Sequence, residues 1–415
     1  MVKWRIILTF GLVFLCLIGL SYGCFQSVKA QFRGPIIINS DGSITPSIAP
    51  IQVDGDTYIV LENIFDSSLV IQRSDIVIDG ANFLLQGQRS TGTEHYITPI
   101  GITLKQVSNV VVKNFELRDF GKGISAESTQ NCLFNNNTLL TASYGIFLNI
   151  SSYNQITDNT LVPNVDSRFT QNFAIIALDS NFNNVTSNQI SGYWYEGITM
   201  IGSNNIVDAN NVTEVGLGIE VAGSSNIISE NKVFSTILAT SKQIFPNSGT
   251  GIGIGKGNEN LVVKNIIQDN AVGVGLSGSG SDVYLNNFIN NTQQVQLFEE
   301  SVSAIWDEDK VGNFWSDYQS IYPNASELDT SGIWNTPYAI NENNIDHYPL
   351  KKPVNIYEPS NPTPTPTPFE PPRNPPHLEL TDYLLPISIL LVIIIVSVLL
   401  YRRQRKTTKS EVGQV

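Results

Sequence analysis

One asparagine-centred pattern recurs along the chain about every 22 residues, and this repeat limits the folds that the chain can adopt. An asparagine or aspartate is followed by apolar residues at positions +2 and +7 and by asparagine at +5. The pattern begins at Asn154, Asn183, Asn205, Asn226, Asn260 and Asp282, with looser copies at Asn109 and Asn131. Each copy is followed by the four-residue pattern Gly-apolar-x-apolar, which we call the glycine phrase. Ile175 and Gln294 replace the glycine in two copies. This period is too short for helical-pair repeats or propeller blades.

The repeat predicts a solenoid of short strands in which each turn of the chain stacks on the next. The apolar residues at +2 and +7 would point inward and meet their equivalents ~4.8 Å above and below. Asparagine at +5 fits the turn between strands because it tolerates the left-handed backbone conformation. Its amide can bond to the amide in the next coil, which predicts a buried ladder. The predicted ladder residues are Asn159, Asn188, Asn210, Asn231, Asn265 and Asn287. Leucine-rich repeats have a similar period, but their leucine-asparagine consensus is absent.

Both ends of the chain have the composition of targeting segments. Residues 1–30 combine a basic start with an apolar core, which is typical of a secretion signal peptide. Residues 384–401 are an apolar run of 18 residues, just long enough for a transmembrane helix. The basic tail 402–415 then indicates a cytoplasmic C-terminus. The Pro/Thr-rich segment 351–380 predicts an extended linker that holds the body away from the membrane.

Composition excludes one class of partner. Only 15% of residues are charged and the net charge is −13, so the chain lacks the cations that would neutralise nucleic-acid phosphates.

Cys132 is the one cysteine outside the signal segment, so no internal disulfide is expected, and the Cys132 side chain fits a coil interior. An extracytoplasmic location would permit N-glycosylation at the six sequons Asn136, Asn149, Asn184, Asn211, Asn290 and Asn324.

Three segments resemble a known family. The coils are similar to the NosD-type, or CASH-domain, branch of right-handed parallel β-helix proteins. The entry SDGSITPSIAPIQVDGDTYIVLENI and the closing GNFWSDY and IWNTPYAINENNIDHYPL resemble those of archaeal cell-surface members. The resemblance covers roughly residues 36–350. It implies a right-handed parallel β-helix outside the cytoplasm, but the family's members differ too much in role to supply one activity.

We therefore expect an all-β chain with six segments after the signal peptide. These are an entry segment over 31–72, β-helix repeats over 73–297, a closing cassette over 298–350, the linker 351–380, the transmembrane helix 384–401 and the tail 402–415. The aromatic residues of the closing cassette are expected to cap the last coil, because an uncapped β-helix exposes strand edges.

Three coils carry insertions at one place, between the +7 strand and the glycine phrase. They span Gln88–Ile100, Val162–Phe173 and Phe234–Thr250, and insertions on one face often form a binding face. Aromatic rings beside polar groups would suit a sugar polymer, although the same rings could instead cover a coil edge. The candidate carbohydrate-binding residues are Tyr193, Trp194, Tyr195, Glu196, Asp166, Arg168, Glu94, His95 and Lys242.

Catalytic and metal signals are weak in the sequence. Glycan hydrolysis needs paired carboxylates, and Asp158, Asp208, Glu220 and Glu230 occupy turns or outward positions of ordinary coils. The Gly-His-Gly and Asp-Pro-His signatures of enzymes on this fold are absent. NosD is associated with copper-site maturation, but two methionines and Cys132 are few soft ligands. No cofactor is expected; calcium has weak candidates in Asp307, Asp309 and Asp329.

The sequence favours a membrane-anchored, extracytoplasmic β-helix protein that binds surface glycans or serves as a structural or adhesive envelope component. Its expected partners are the membrane and a polysaccharide or surface glycoprotein. The alternative is a polysaccharide-active enzyme of the lyase, hydrolase or epimerase class that uses the inserted loops. Since no catalytic signature was found, the sequence favours a non-enzymatic role.

Overall fold

The chain folds as a parallel β-helix built from three columns of strands. The computed structural model describes residues 34–87, 99–164, 172–234 and 249–356. Each coil contributes one short strand to each column, and almost every strand pairs in parallel with its equivalent in the next coil. Columns 2 and 3 form one sheet of 21 strands and column 1 forms a separate sheet of 12 strands. The predicted all-β solenoid is confirmed.

The strands of each column have the following bounds. Column 1 comprises Ile51–Asp54, Thr57–Val60, Ile76–Asp79, Val110–Lys113, Leu133–Asn135, Gln155–Thr157, Asn184–Thr186, Ile206–Asp208, Ile227–Ser229, Leu261–Val263, Ser281–Tyr284 and Ala304–Ile305. Column 2 comprises Ile64–Phe65, Leu84–Gln86, Thr160–Pro163, Gln189–Ser191, Asn211–Thr213, Lys232–Phe234, Ile266–Gln268, Asn287–Ile289 and Phe314–Trp315. Column 3 comprises Ile36–Ile38, Ile44–Thr45, Leu69–Ile71, Ile100–Lys105, Phe173–Leu178, Glu196–Ile201, Leu217–Ala222, Thr250–Ile254, Val272–Leu276 and Gln293–Leu297. The 12-residue strands Glu116–Glu127 and Thr138–Asn149 run through columns 2 and 3, and the hairpin of Tyr338–Asn341 and Asn344–Asp346 forms a separate two-stranded sheet.

The core consists of vertical stacks of identical positions. In column 1 the +2 residues form a fully buried stack through Val185, Val207, Ile228, Val262 and Val283. Because the side-chain period of a strand is two, the residues on either side of each stacked position face outward. Cys132 is also buried in the core, as its position in the repeat predicted.

Buried asparagines form two ladders that link successive coils. In the first ladder each side-chain Nδ2 donates to the Oδ1 of the next asparagine at 2.9–3.1 Å. This ladder runs through Asn137, Asn159, Asn188, Asn210, Asn231, Asn265, Asn286 and Asn313. A second ladder, through Asn154, Asn183, Asn205, Asn226 and Asn260, uses backbone N–H donors at 2.9–3.0 Å. The amides thus satisfy backbone groups that the turns bury.

The structure corrects two details of the predicted ladder. Asn286, not Asn287, occupies the rung after Asn265, because Val262 pairs with Val283 and the last repeat therefore begins at Ser281 rather than Asp282. The left-handed conformation also falls one residue before the ladder asparagines from Asn137 to Asn286, for example at Ala209 (φ 53°) and Glu230 (φ 53°). The residue before the asparagine, which faces outward, therefore adopts the turn conformation. The asparagine side-chain amide can then reach the next coil.

The closing cassette covers the last coil with aromatic rings, as predicted. Trp315 stacks on Phe288 of the last complete coil and on Tyr338, with centroid distances of 4.3 and 4.2 Å. Asp346 is fully buried beneath this layer. Its carboxylate accepts hydrogen bonds from the Asn313 backbone N–H at 2.8 Å and from Trp315 Nε1 at 2.8 Å. The cassette therefore ends the first ladder on a carboxylate.

The predicted signal peptide, transmembrane helix and cytoplasmic tail lie outside the described residues, as does the linker beyond residue 356. In the described ranges the helix Tyr318–Ile321 has four residues, and no helix found there could span a bilayer.

Candidate functional site

Several outward-facing side chains come together at the corner between columns 2 and 3. The described ends of all three inserts lie at this corner, since each insert is flanked in sequence by a column 2 strand and a column 3 strand. The positions Lys122, Tyr144, Phe173 and Glu196 pair one above the other along it. The parallel register thus converts residues 20 to 30 positions apart in sequence into a row with a strand spacing of ~4.8 Å.

Four half-buried rings, Tyr144, Phe147, Phe173 and Tyr195, form what we call the aromatic row. Tyr144 and Phe173 are parallel, with centroids 5.7 Å apart and planes inclined by 4°. Phe173 meets Tyr195 edge-on at 5.8 Å, and Tyr144 meets Phe147 edge-on at 5.5 Å. At a plane separation of roughly 3.5 Å, typical of stacked carbons, the Tyr144 and Phe173 rings are offset sideways by about 4.5 Å. Each ring therefore leaves part of its face uncovered by its neighbour.

A cation lies at one end of the aromatic row. Lys122 Nζ is 3.8 Å from the Phe147 centroid and 5.0 Å from the Tyr144 centroid. Burial lowers the pKa of Lys122, while Glu127 acts in the opposite direction. The ammonium is held by ring faces rather than by a close carboxylate, so its hydrogen-bond donors can contact a ligand.

Two carboxylates lie at the other end of the row, on neighbouring column 3 strands. The Thr199 hydroxyl donates to Glu196 Oε2, and Thr199 pairs directly with Glu220 on the next strand. Burial raises the pKa of Glu196, which the hydrogen bond from Thr199 opposes. Burial, followed by repulsion from Glu196, raises the pKa of Glu220 to about 7. Burial and these two carboxylates also raise the pKa of Tyr195. The row therefore ends in a coupled acidic pair.

Two glycines, Gly253 and Gly275, follow Glu220 at the equivalent outward positions of the next two strands. Glu220 Oε2 lies 1.9 Å from the point that a Cβ on Gly253 would occupy, so the carboxylate rests over bare backbone. Thr250 is 1% exposed, and its hydroxyl has no hydrogen-bond partner among the described residues. The Phe298 ring and the Thr250 methyl group lie 3.0 and 3.4 Å from the Cβ point of Gly275, so these two side chains border that glycine.

The predicted carbohydrate-binding residues have different environments. Tyr195 and Glu196 belong to the corner described above, and Tyr193 is 76% exposed. Trp194 is 1% exposed and packs in the core, so its ring faces are occupied by protein. The other predicted residues, Glu94, His95, Asp166, Arg168 and Lys242, lie outside the described residues.

Sequence reasoning missed the buried environment of Glu220. It was grouped with Asp158, Asp208 and Glu230 as an outward carboxylate of an ordinary coil. Those three lie at column 1 turns, where Asp208 accepts from Ser229 and Glu230 pairs with Lys264 at 3.8 Å. A signal was nevertheless present, because the glycine phrase that begins at Gly251 also puts glycine at the outward position beside Glu220.

The sequons differ in accessibility. Asn136, Asn290 and Asn324 are exposed, whereas Asn149, Asn184 and Asn211 are half-buried in strands.

The weak calcium candidates are not gathered into a site. Asp307 Oδ2 contacts His347 Nδ1 at 2.9 Å, while Asp309 and Asp329 occupy left-handed turn positions. Among the described residues, no three histidine, cysteine, aspartate or glutamate side chains lie close enough together to hold a metal ion.

A separate polar cavity of about 250 Å³ lies against the closing cassette. Gln294 Nε2 and Asp317 Oδ1 line it and have no hydrogen-bond partner in the part of the chain that the structure describes. Tyr338 donates to Asp317 Oδ2 at 3.1 Å. One donor and one acceptor suit a small hydroxyl group or a water molecule, but the cavity has no paired carboxylates. The corner between columns 2 and 3 therefore has the richer chemistry.

Comparison with known proteins gives one family and several structural neighbours. The family model described as "Periplasmic copper-binding protein (NosD)" matches residues 38–172 and 164–320. No curated protein was found to match the chain. The solved tailspike protein of E. coli bacteriophage HK620 in complex with pentasaccharide is 13% identical, with a TM-score of 0.44, covering 68% of this chain and 53% of that one. A mutant of that tailspike in complex with hexasaccharide is 14% identical, with a TM-score of 0.42 and coverages of 61% and 47%. This chain spans about half the length of those tailspike chains.

The copper named in the family description does not fit the described residues. Copper sites draw on cysteine, methionine and histidine side chains that converge on one point. Cys132 and Met200 are buried in the core on different coils, and His347 lies in the closing cassette. The described part of the chain thus supplies no convergent soft-ligand set.

Proposed function

This chain belongs to the NosD family of parallel β-helix proteins, and we propose that it is an extracytoplasmic glycan-binding protein whose ligand lies along the aromatic row. The carrying observation is the succession of Tyr144, Phe173 and Tyr195 on consecutive coils, with a cation at one end and carboxylates at the other. Offset rings present flat apolar faces to pyranose rings, while Lys122 and Glu196 can hydrogen-bond to hydroxyls. The family description, which names a periplasmic protein, supports the location outside the cytoplasm.

Replacing Phe173 by leucine is expected to weaken glycan binding about tenfold, equivalent to roughly 1.4 kcal/mol. Leucine keeps an apolar side chain on the strand but removes the ring that links Tyr144 to Tyr195. Binding is measured on a glycan array and then by calorimetry with the oligosaccharides that bind. Phe182→Leu is the matched control, because Phe182 stacks on Tyr153 at 4.9 Å at a turn leading into column 1. Equal losses in both variants, or no array signal for the wild type, would exclude the aromatic row as the binding surface.

We also propose that residues 1–30 direct secretion and that residues 384–401 anchor the protein in the membrane. The apolar run and the basic tail 402–415 support this arrangement. A chain that ends at residue 383 is expected to move from the membrane pellet to the soluble fraction, as measured by fractionation and immunoblotting. Retention of the truncated chain in the pellet after a carbonate wash would contradict anchoring by this segment.

A further inference from the structure

We propose that the polar cavity against the closing cassette is a second ligand site, which binds the acetamido group of an N-acetylated amino sugar. This inference goes beyond glycan binding on the aromatic row, because the described residues that line the cavity include no ring of that row. An acetamido group requires a hydrogen-bond donor for its C=O, an acceptor for its N–H and an apolar surface for its methyl group.

The cavity lies where the stack of coils ends. Gln294 is level with Gly273 on the preceding strand. A Cβ on Gly273 would lie 2.5 Å from the Gln294 carbonyl oxygen, so the following coil leaves no room there for a side chain. Among the described strands, Gln293–Leu297 is the last of column 3, and a long side chain can therefore occupy the glycine position. The glutamine that interrupts the glycine phrase thus becomes part of the cavity wall.

A chain of amides fixes which atom of Gln294 faces the cavity. Asn270 Nδ2 donates to Asn291 Oδ1 at 3.0 Å. Asn291 Nδ2 in turn donates to the Ile267 carbonyl oxygen and to Gln294 Oε1, each at 2.9 Å. Because Asn291 presents its NH2 group here, Gln294 must turn its oxygen towards Asn291 and its Nε2 away from it. Gln294 is 5% exposed, and the amide chain ends in a buried donor that lacks an acceptor among the described residues.

The closing cassette supplies an acceptor. Asp317 lies at the N-cap of the helix Tyr318–Ile321, where an aspartate commonly accepts from the first backbone N–H groups, but its side chain makes no such hydrogen bond. Its Oδ2 instead accepts from Tyr338 at 3.1 Å, which leaves the buried Oδ1 on the cavity wall. In the described ranges this Oδ1 has no donor. A buried polar atom without a hydrogen bond is unfavourable, so a ligand that bonds to both Asp317 and Gln294 would be favoured.

The combination of groups fits a secondary amide. A trans amide presents its C=O and N–H on opposite edges, so one ligand group can accept from Gln294 on the last coil and donate to Asp317 on the cassette. Val295 and Ile340 give the lining an apolar part for the acetyl methyl group. Hydroxyl groups could bond to the same two atoms but would not use this apolar part. A carboxylate would be repelled by Asp317, and an ammonium group cannot accept from Gln294 Nε2.

The size of the cavity excludes water as a sufficient occupant. A water molecule takes about 30 Å³ of liquid volume, whereas the cavity has about 250 Å³. Pockets for drug-sized ligands begin at roughly 300 Å³, so this cavity suits a single sugar unit. Thr292 and Gln293 line it and are exposed, and their polar side chains can contact ring hydroxyls.

The strand register separates this cavity from the aromatic row. Gln293 lies in the same row of strand positions as Glu196, four strands further along the stack. At ~4.8 Å per strand the two positions are about 19 Å apart. A monosaccharide in the cavity is therefore out of reach of the ring of Phe173, and the two sites can be tested independently.

The test measures the binding of small probes to the full-length protein in detergent by saturation-transfer NMR and calorimetry. The probes are N-acetylglucosamine, N-acetylgalactosamine, glucose, glucosamine and N-acetylalanine methylamide, which carries amides without a sugar ring. At least one of the two N-acetylated sugars is expected to bind about tenfold more tightly than each of the other three probes. Its acetyl methyl protons should receive the strongest saturation transfer.

Two substitutions alter the groups assigned to the amide. Asp317→Asn leaves one oxygen for the Tyr338 hydroxyl and puts an N–H donor where the ligand N–H needs an acceptor. Gln294→Glu keeps an acceptor for Asn291 but replaces the Nε2 donor by a carboxylate oxygen. Each variant is expected to weaken binding of the N-acetylated sugar about tenfold or more. Thermal unfolding midpoints establish that each variant is folded.

The matched controls make the same chemical changes outside the cavity. Asp309→Asn alters an exposed aspartate of the closing cassette, and Gln296→Glu alters a half-buried glutamine of the same strand as Gln294. Neither residue lines the cavity, so both variants should bind the sugar as the wild type does. Phe173→Leu should also leave the affinity for the monosaccharide unchanged.

The outcomes distinguish this site from the aromatic row. Undiminished binding in Asp317→Asn, or absence of binding by both N-acetylated sugars, would overturn the proposal. Glucose that binds as tightly as the N-acetylated sugars would overturn the assignment of the amide, and equal binding of N-acetylalanine methylamide would overturn the assignment to a sugar. Loss of monosaccharide binding in Phe173→Leu would place the sugar on the aromatic row instead. Failure of longer glycans to bind the aromatic row would leave the cavity site intact.

Discussion

Replacing Asn210 by alanine is expected to lower the free energy of unfolding by about 3–5 kcal/mol. The Asn210 amide donates to the carbonyl oxygens of Val185 and Asp208 at 2.8 and 3.0 Å. Its Oδ1 accepts from the Asn188 backbone N–H at 2.9 Å. Alanine would leave these three backbone groups without this partner in a turn that is buried or partly buried. Each buried polar group without a hydrogen bond costs roughly 1–3 kcal/mol.

The matched control is Asn211→Ala, one position along the chain. Asn211 is half-buried on the outward side, and its Nδ2 donates to Gln189 Oε1 at 2.9 Å. Its loss is expected to cost less than about 1 kcal/mol. Guanidinium unfolding of the full-length protein, followed by circular dichroism, compares the two midpoints. Similar midpoints for the two variants would show that the ladder does not stabilise the stack.

The fold could be predicted from the sequence because its determinants are local and repeated. The interval between Asn205 and Asn226 is 21 residues, and both asparagines become neighbouring rungs with an N–H to Oδ1 distance of 2.9 Å. The error at Asn287 has a physical cause. Ser281 takes the place of asparagine at the start of the last repeat. The adjacent Asp282 fits the pattern better, so the sequence places the start of this repeat one residue too late, and only the strand register corrects it.

The candidate site was predicted less completely, because it depends on neighbours in other coils. Tyr195 and Glu196 stood out as an aromatic and acidic cluster, but so did Trp194, which the coil buries. Composition cannot tell which of three adjacent residues faces outward at an irregular corner. The environment of Glu220 depends on Thr199 one coil below and Gly253 one coil above, and only the strand register brings these positions together.

Replacing Asp346 by alanine is expected to release the closing cassette and to lower the free energy of unfolding by about 3–5 kcal/mol. The carboxylate accepts from Asn313 N, from Trp315 Nε1 and, at 3.0 Å, from the Tyr348 backbone N–H. Alanine would leave all three N–H donors without an acceptor, including the backbone N–H of Asn313 at the end of the asparagine ladder. The exposed last coil should also promote end-to-end association, which light scattering detects. A monomeric variant with the wild-type unfolding midpoint would exclude this role.

The same residue should make stability depend on pH in an unusual direction. Burial raises the pKa of Asp346 to about 6, against 3.8 for a free aspartate, although its three N–H donors oppose the shift. Between these values the folded state binds the extra proton, so the contribution of Asp346 is fully present below pH 4 and is lost as the pH rises through 6. The loss amounts to roughly 3 kcal/mol, at 1.36 kcal/mol per pKa unit. Asp346→Asn removes the titration, and its free energy of unfolding, measured from pH 4 to 7, should decline less steeply than that of the wild type. Parallel pH curves for the two proteins would mean that Asp346 is ionised throughout this range in the folded state, with the hydrogen bonds outweighing burial.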